Sequence, residues 1–459
     1  MNAIDTARPT PAPRLILVDD NIRNVGGHFF ELATLLLGGA QSLGLGCVMA
    51  THESFDAPGS VPKSWAVVPK FGTRRMVRWS MGVDGNSHVT RDRIGNPVGG
   101  SFVENARTRL SDWMNPPAKR PRRMIAQWVD DFCGLIAQVK PTASDTILIN
   151  TGDDFVMLAL AAALEQIELP PMRIDILFHF ALYDDETPNR ADRLKRIGSQ
   201  MRSSIVATSP HKVHIHATTT ALADQLRETD LGVPVNTISY PTRKRAVEKP
   251  LDRLPVKAVL AGLPRAEKGR DAIAALITGI EKSLLKTGRI QLSMQMPAEK
   301  WQSMIPATLH RNYEKAASAA ESGEVCDGPL EVMTSNLSTS DYHHWLDTAD
   351  LGLFLYEPKR YVARCSGVLL EMLARGVPVI VPDRCWLADQ VRLAGGHRSI
   401  GFIYQDRSEI PELMRQFVKR RAEIHARSIE HARVIARRHS GENVLREMGL
   451  AAQQSQRAA

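Results

Sequence analysis

In the run Val368-Leu369-Leu370-Glu371-Met372-Leu373-Ala374 a single carboxylate interrupts an apolar stretch, and burying an unpaired carboxylate is expensive. Glu371 therefore calls for a ligand, an internal arginine, or a less buried face than its neighbours suggest. Helical spacing sets it one turn after Gly367 on the same face, where a glycine lets a ligand approach the backbone closely. Ser366 is placed to cap that helix, and the free N–H groups of its first turn, with Arg364 just before them, form an anion site. A nucleotide diphosphate joined to a ribose has the matching shape: anionic at one end, hydroxyl-bearing at the other. The stretch Gly262 to Gly269, GLPRAEKG, delivers two more cations, Arg265 and Lys268, between two glycines. Such a loop suits a diphosphate, although a solvated turn would read the same way. Near the start of the chain, Gly26-Gly27 precedes His28, a third place where backbone can approach a ligand and an imidazole can act on it.

These residues need elements to hold them. Asp350 to Pro382 reads as a strand, a polar basic loop, a helix opening at Ser366-Gly367, a stop at Gly376 and a second strand. Both strands are apolar through most of their length, as in a parallel sheet covered on both faces, and open α/β sheets bind ligands at the carboxyl ends of such strands. Upstream, Leu15 to Val18 is a buried strand, His28 to Leu37 a helix and Cys47 to Thr51 a strand. A helix over Met124 to Val139, a strand over Thr146 to Asn150, a helix over Asp154 to Gln166 and a strand over Ile174 to Phe180 follow. Further strands are expected near Ile205 to Thr208 and Val213 to Ala217. After the charged, proline-bearing stretch Pro241 to Pro255 the alternation restarts with strand Val256 to Ala261, helix Asp271 to Leu285 and strand Arg289 to Met294. Strand Leu330 to Met333 and helix Ser340 to Thr348 then lead into the unit around Glu371. Helix-strand alternation of this kind predicts α/β architecture, two Rossmann-like doubly wound domains facing a cleft, with a C-terminal helix. The expected layout is a disordered lead over 1–13, an N-terminal domain over 14–241, a linker over 242–255, a C-terminal domain over 256–410, and a basic helix and tail over 411–459. An irregular insertion over about 56–123, rich in Gly, Pro and Arg, is expected to serve as a substrate-side lid.

Taken together, the three polar stretches resemble glycosyltransferases of the two-Rossmann-domain, or GT-B, fold, particularly the retaining, group 1 or family 4-like type. In that type a glycine-rich N-terminal loop, a G-x-x-x-x-x-K-G loop and a C-terminal glutamate helix occur in this order; here they are VDDNIRNVGGHFFELATLL, AGLPRAEKG and SGVLLEMLARGVPVI. The resemblance implies a nucleotide-diphosphate sugar as donor substrate, a glycan or lipid-linked acceptor and no separate cofactor. It implies that Arg265 and Lys268 hold the donor diphosphate and its developing charge, that Glu371 accepts ribose hydroxyls, and that Arg364 and the Ser366-Gly367 backbone touch donor phosphate or sugar. Gly26 and Gly27 fall on the donor side, and His28 is the catalytic candidate of the N-terminal half. One departure stands out: where the type commonly carries a second glutamate, eight positions before the helix glutamate, this chain has Ala363. Glu357, Arg364 or Ser366 would then orient the sugar. The departure keeps two rivals in play, a sugar-nucleotide epimerase or hydrolase on the same fold and a catalytically silent nucleotide- or sugar-binding protein.

An inverting enzyme would need an N-terminal base, for which His28, Asp20, Asp153, Asp154 and His179 are the candidates; a histidine held structurally, or an aspartate capping the next helix, would look the same. No D-x-D triplet occurs in the chain, so no metal is expected to bridge the diphosphate, and His211, His214, His216 and His343-His344 lack further ligands at useful spacing. The opening Leu17-Val18-Asp19-Asp20-Asn21 also resembles a phosphorylation-receiver strand, but the aspartate such a domain needs has no counterpart: Asp56 follows no apolar run.

The chain has 459 residues, enough for two or three domains. No run approaches the roughly 18 apolar residues of a membrane span, and the N-terminus lacks the apolar core of a signal peptide, so a cytoplasmic location is expected. Five scattered cysteines suggest neither disulfides nor zinc. The net charge of +8 gathers at Lys119 to Arg123, Arg243 to Arg245 and Lys419 to Arg438. Without interleaved aromatics it does not read as a nucleic-acid binder, and it allows peripheral contact with an anionic inner membrane face.

Overall fold

The computed structural model describes residues 12–73, 120–183, 187–243, 246–250, 253–296, 299, 301–335 and 337–450. Two parallel sheets form the frame. The first has seven strands in the order β3-β2-β1-β4-β5-β6-β7, and the second has six in the order β10-β9-β8-β11-β12-β13. In the first, β1 (Arg14–Asp19) lies between β2 (Gly46–His52) and β4 (Thr146–Ile149); β3 is Ala66–Phe71, β5 Arg173–Phe178, β6 Lys212–Ala217 and β7 Val235–Thr237. In the second, β8 (Val256–Leu260) lies between β9 (Ile290–Gln295) and β11 (Leu351–Leu353); β10 is Leu330–Met333, β12 Val379–Pro382 and β13 Gly401–Tyr404. Each sheet therefore reverses its winding beside its first strand, at β1/β4 and at β8/β11. Loops leaving such a pair diverge to opposite faces and open a crevice at the strands' carboxyl ends.

The helices cover both faces. Helix α1 (Gly27–Ser42) buries Phe30, Leu32, Ala33, Leu36, Leu37 and Ala40, a single face at helical spacing. Helices α2 (Arg120–Val139), α3 (Asp154–Leu164), α4 (Arg190–Ala207) and α5 (Thr220–Glu228) complete the N-terminal unit. Helices α6 (Ile273–Ile280), α7 (His310–Ser322), α8 (Thr339–Asp347), α9 (Gly367–Ala374) and α10 (Trp386–Leu393) surround the second sheet. The long α11 (Ile410–Arg438) bends at Arg420, whose backbone leaves helical geometry, and α12 (Gly441–Glu447) returns to pack on α1. Gly39 and Gly441 make that crossing possible, because a Cβ on either would overlap the other helix's backbone. An apolar cluster runs from Leu15 and Leu36 through Tyr240 to Leu370, Val379 and Leu445, joining the two units into one packed body.

Some expectations need correction. Ile205 to Thr208 is not a strand but the last turn of α4, whose buried Leu194, Ile197 and Met201 follow helical spacing. The stretch expected to be irregular over 56–123 contains a 3-10 turn (Pro58–Ser60), strand β3 at the sheet edge and the start of α2. Its middle, 74–119, and with it the expected lid, lies outside the described residues, as do 1–11 of the lead. The helix expected over Asp271 to Leu285 is broken into a 3-10 turn, α6 and a π-type turn (Glu281–Leu285). All five cysteines are free thiols. Among the described residues no helix is long and apolar enough to cross a membrane.

Candidate functional site

The second sheet's reversal at β8/β11 carries the cations. After β8 the backbone turns through Gly262 at φ +88°, and Lys268 folds back so that its Nζ lies where a Cβ on Gly262 would be. Only glycine leaves that space while accepting that φ. Lys268 Nζ stands 5.7 Å from the centre of the Tyr356 ring, a residue that follows β11. Burial, with Arg265 and Arg364 nearby, pulls the Lys268 ammonium down to about 8. Arg265 is the outer cation, its side chain 58% exposed, with Glu267 at a loose 3.9 Å. Arg364 lies between two rings, 5.5 Å from Phe180 of the N-terminal unit and 5.3 Å from Tyr361 of its own. Among the described residues no carboxylate forms a salt bridge with Lys268 or Arg364. Immediately after Arg364, α9 opens as the sequence predicts: Ser366 is its N-cap and its Oγ accepts from Leu369 N at 3.3 Å. The Gly367 and Val368 amides of the first turn have no intrahelical acceptor. Three cations and a helix N-terminus thus converge at one strand end.

Glu371 sits one turn along α9. Burial raises its pKa, and the Glu31 carboxylate across the crevice adds to the effect, while His343 and Arg375 oppose it. An internal arginine is present but turned elsewhere. Arg375 donates from Nη1 to the Glu371 backbone carbonyl at 3.0 Å and from Nε to Asp347 Oδ1 at 2.9 Å; its Nη2 lies 3.0 Å from His343 Nδ1. Among the described residues the Glu371 carboxylate has one hydrogen-bond donor, Tyr342 Oη at 3.1 Å. Among the described residues that leaves most of its acceptor capacity open to hydroxyl groups of a ligand. Both ends are in one field, since Glu371 acts electrostatically on Lys268.

The first sheet's reversal at β1/β4 faces this array. Gly26 and Gly27, at φ +88° and +74°, lead into α1, and a Cβ on Gly26 would lie 2.7 Å from Thr339 Oγ1 at the start of α8. The space beside Gly27 is open. His28 remains exposed although rings surround it: Tyr240 stacks at 5.7 Å, and His179 and Phe180 lie at 5.8 and 6.0 Å. Desolvation between these rings, with the Arg364 charge, pulls His28 down to about 4. His179, 1% exposed, has its Nε2 2.5 Å from the Asn150 carbonyl. A carbonyl only accepts, so Nε2 carries the proton, and burial next to His28 lowers the ring to about 3. Among the described residues His179 Nδ1 and Asn150 Oδ1 are buried without a hydrogen-bond partner. Asn150 Nδ2 and Thr151 Oγ1 donate to Asp19 Oδ2 at 2.8 and 2.9 Å. Asp153 caps α3, accepting from Val156 N at 2.8 Å.

Of the residues singled out from sequence, Arg265, Lys268, Arg364, Ser366, Gly367 and Glu371 line one side of the crevice, and Gly26, Gly27, His28 and His179 the other. Ala363 is 4% exposed and packs into the core of the first sheet, so this position closes the domain contact instead of facing a ligand. Glu357 leads into the 3-10 turn Pro358–Tyr361, its N–H donating to the Glu267 carbonyl at 2.9 Å. Sequence reasoning missed Tyr240, Phe180, Tyr342, Tyr356 and Glu31. Glu31, on α1, is held by Arg243 of the segment between β7 and β8 and faces His343 at 3.8 Å. Burial alone would raise its pKa, but hydrogen bonds to Arg243 and His343 outweigh this and pull it to about 2. Nothing in local spacing points to it, since its partner lies 212 residues away. Among the described residues no group of three His, Cys, Asp or Glu could hold a metal ion. A separate cavity of about 660 Å³, lined by residues including Arg392, His397, Arg398 and Glu409, lies at the far edge of the second sheet and touches none of these side chains.

Comparison with protein-family models and with curated proteins finds no match. Solved structures do match in fold. Sucrose-phosphate synthase from Thermosynechococcus elongatus superposes with a TM-score of 0.58 at 12% identity, covering 97% of this chain and 100% of that one. A trehalose-6-phosphate protein from E. coli, bound with UDP-2-fluoro glucose, superposes at 0.59 with 14% identity over 96% and 99%. Anabaena HepE in complex with UDP superposes at 0.54 with 9% identity over 97% and 100%.

Proposed function

We propose that this chain, which has the GT-B fold of two facing Rossmann-like units, is a glycosyltransferase that takes a sugar from a nucleoside-diphosphate sugar. One observation carries the reading. Three cations and the N-terminus of α9 stand in one crevice with a carboxylate that has a single donor among the described residues, and this pairing suits a diphosphate joined to a ribose. The solved neighbours bound with UDP and with UDP-2-fluoro glucose support it.

In this reading the diphosphate lies against Arg265, Lys268, Arg364 and the Gly367 amide, and the ribose hydroxyls donate to Glu371. The bond between the anomeric carbon and the phosphate oxygen breaks, and the cations stabilise the charge gathered on the leaving diphosphate. The acceptor hydroxyl adds to the anomeric carbon from the side of the leaving group, with retention, and its proton goes to the departing phosphate oxygen. The low basicity of His28 and His179 supports a route without a dedicated protein base. The basic loop takes the role that a metal would otherwise have. The acceptor, a glycan or lipid-linked saccharide, enters beside Gly27, His28 and His179. The exposed Arg427, Arg433, Arg437 and Arg438 of α11 suit peripheral contact with anionic lipid. One observation favours a silent nucleotide-binding protein instead: the burial of Ala363 where the resembling enzymes commonly carry an acid.

Titration calorimetry with UDP, GDP and ADP, followed by donor-hydrolysis and transfer assays with their sugars, tests the proposal. Binding with turnover, and an anomeric product signal of unchanged configuration, is the expected result. Binding without turnover selects the silent protein, and absence of binding to all three nucleotides overturns both readings.

A further inference from the structure

The chain passes from the first unit to the second between β7 and β8, the first crossing, and returns between α11 and α12, the second; Tyr240 touches both crossings and both halves of the crevice. It follows β7 in the first crossing and is 6% exposed. His439, in the second crossing, grips it from behind: His439 Nδ1 lies 2.7 Å from the Tyr240 carbonyl, and Thr242 N donates to the His439 carbonyl at 2.7 Å. In front, the Tyr240 ring lies 16° from parallel to the His28 imidazole, with Oη 3.0 Å from His28 Nδ1. On its C-terminal side it borders the opening of α9, where a Cβ on Gly367 would stand 3.7 Å from Tyr240 Cε1.

This geometry bears on where the protons lie. Burial, with Cys365, Glu371 and Glu31 around it, keeps the phenol protonated, and its hydrogen-bond partner is His28 Nδ1. Were Nδ1–H to donate instead, the buried phenol O–H would be left without an acceptor among the described residues; directing the O–H to Nδ1 satisfies it and places the ring proton on Nε2. The neighbours of His28 among the described residues are consistent with a neutral ring: the Arg364 cation before α9, His179 and Phe180 after β5, and the Phe29 ring at 5.2 Å. Nε2–H is then the polar edge that the exposed ring offers to the crevice.

We propose that Tyr240 is a positioning residue that locks His28 in its Nε2–H tautomer, so that His28 donates a hydrogen bond to an oxygen of the bound sugar nucleotide instead of accepting a proton. The identity of that oxygen rests on the glycosyl-transfer reading; the tautomer does not. His439 holds Tyr240 by its backbone, so the lock is seated in the crossing between the domains and not in the N-terminal sheet alone.

The test uses the full-length protein with nitrogen-labelled histidine, the His28 resonance being assigned by its loss in His28→Gln. Wild type is expected to show Nδ1 without and Nε2 with a proton. Tyr240→Phe keeps the stacked ring and removes the hydroxyl; it is expected to mix the two tautomers and to lower kcat by about tenfold, with the KM for donor changed by less than about twofold. A protonated Nδ1 in wild type overturns the inference, and that spectrum decides even if the variant fails to fold. So does an unchanged tautomer in Tyr240→Phe. If the tautomer shifts while neither protein turns over any sugar nucleotide, the Tyr240 assignment stands and the glycosyl-transfer reading falls.

Discussion

Glu371→Gln separates a ligand contact from a structural one, because the two roles predict opposite signs. The amide keeps the shape and can still accept from Tyr342 Oη, while the buried negative charge disappears. Without ligand that charge is unfavourable, as its raised pKa states. A carboxyl with a folded pKa above its unfolded one weighs on stability once pH exceeds the unfolded pKa, increasingly until the folded pKa is passed. The variant should therefore melt higher than wild type, with the gap wider at pH 8 than at pH 5. Nucleotide affinity should move the other way. A hydrogen bond to a charged acceptor is worth about 1.5–3 kcal/mol against about 0.5–1.5 for a neutral one, so losing the charge costs about 1–1.5 kcal/mol, roughly five- to tenfold in affinity, for each ribose hydroxyl held. Differential scanning calorimetry and titration with UDP, GDP and ADP read the two effects on one preparation. A lowered melting temperature with unchanged nucleotide affinity would refute the ribose role and make Glu371 a structural group.

Lys268→Ala should lower turnover by at least about tenfold, or 1.4 kcal/mol of barrier, and in wild type kcat/KM should decline as pH rises through about 8, where the Lys268 ammonium loses its proton; a flat profile to pH 9.5 would remove Lys268 from the donor site. Turnover should survive dialysis against EDTA, since the basic loop is expected to carry the diphosphate charge, and a loss restored by added divalent cation would contradict that. Arg421→Met should destabilise the fold by about 3–5 kcal/mol, measured by denaturant titration. Arg421 holds Asp350 at 3.0 Å, both nearly sealed from solvent, and also binds the Arg253 carbonyl of the crossing segment at 2.7 Å.

Two units of parallel sheet and the chemistry of one side of the crevice were legible in the sequence, because both are written locally. An apolar strand, a glycine turn and a helix with one misplaced carboxylate need only neighbouring residues to be recognised, and Arg265, Lys268, Ser366 and Glu371 each lie within such a stretch. Where local signals were ambiguous the reading failed. Ile205 to Thr208 is a short apolar run that fits strand or helix end equally, and strand β3, holding Pro69 and buried only at Val68 and Phe71, has the weak pattern of a sheet edge.

What the tertiary structure alone decided is the meeting of residues far apart in the chain. Tyr240 and His28, like Arg243 and Glu31, are 212 positions apart; no periodicity links them, because their contact depends on how two sheets close around two crossings. Ala363 shows the same limit from the other direction. Its sequence position suggests the ligand, while packing of the C-terminal loop into the first sheet's core gives it to the domain contact. The sequence by itself determined the frame and which cations and which carboxylate lie in its strand-end loops and helix starts. Closure of the two units determined what His28 can do, since desolvation, the Arg364 charge and the Tyr240 hydroxyl arise only when both are in place.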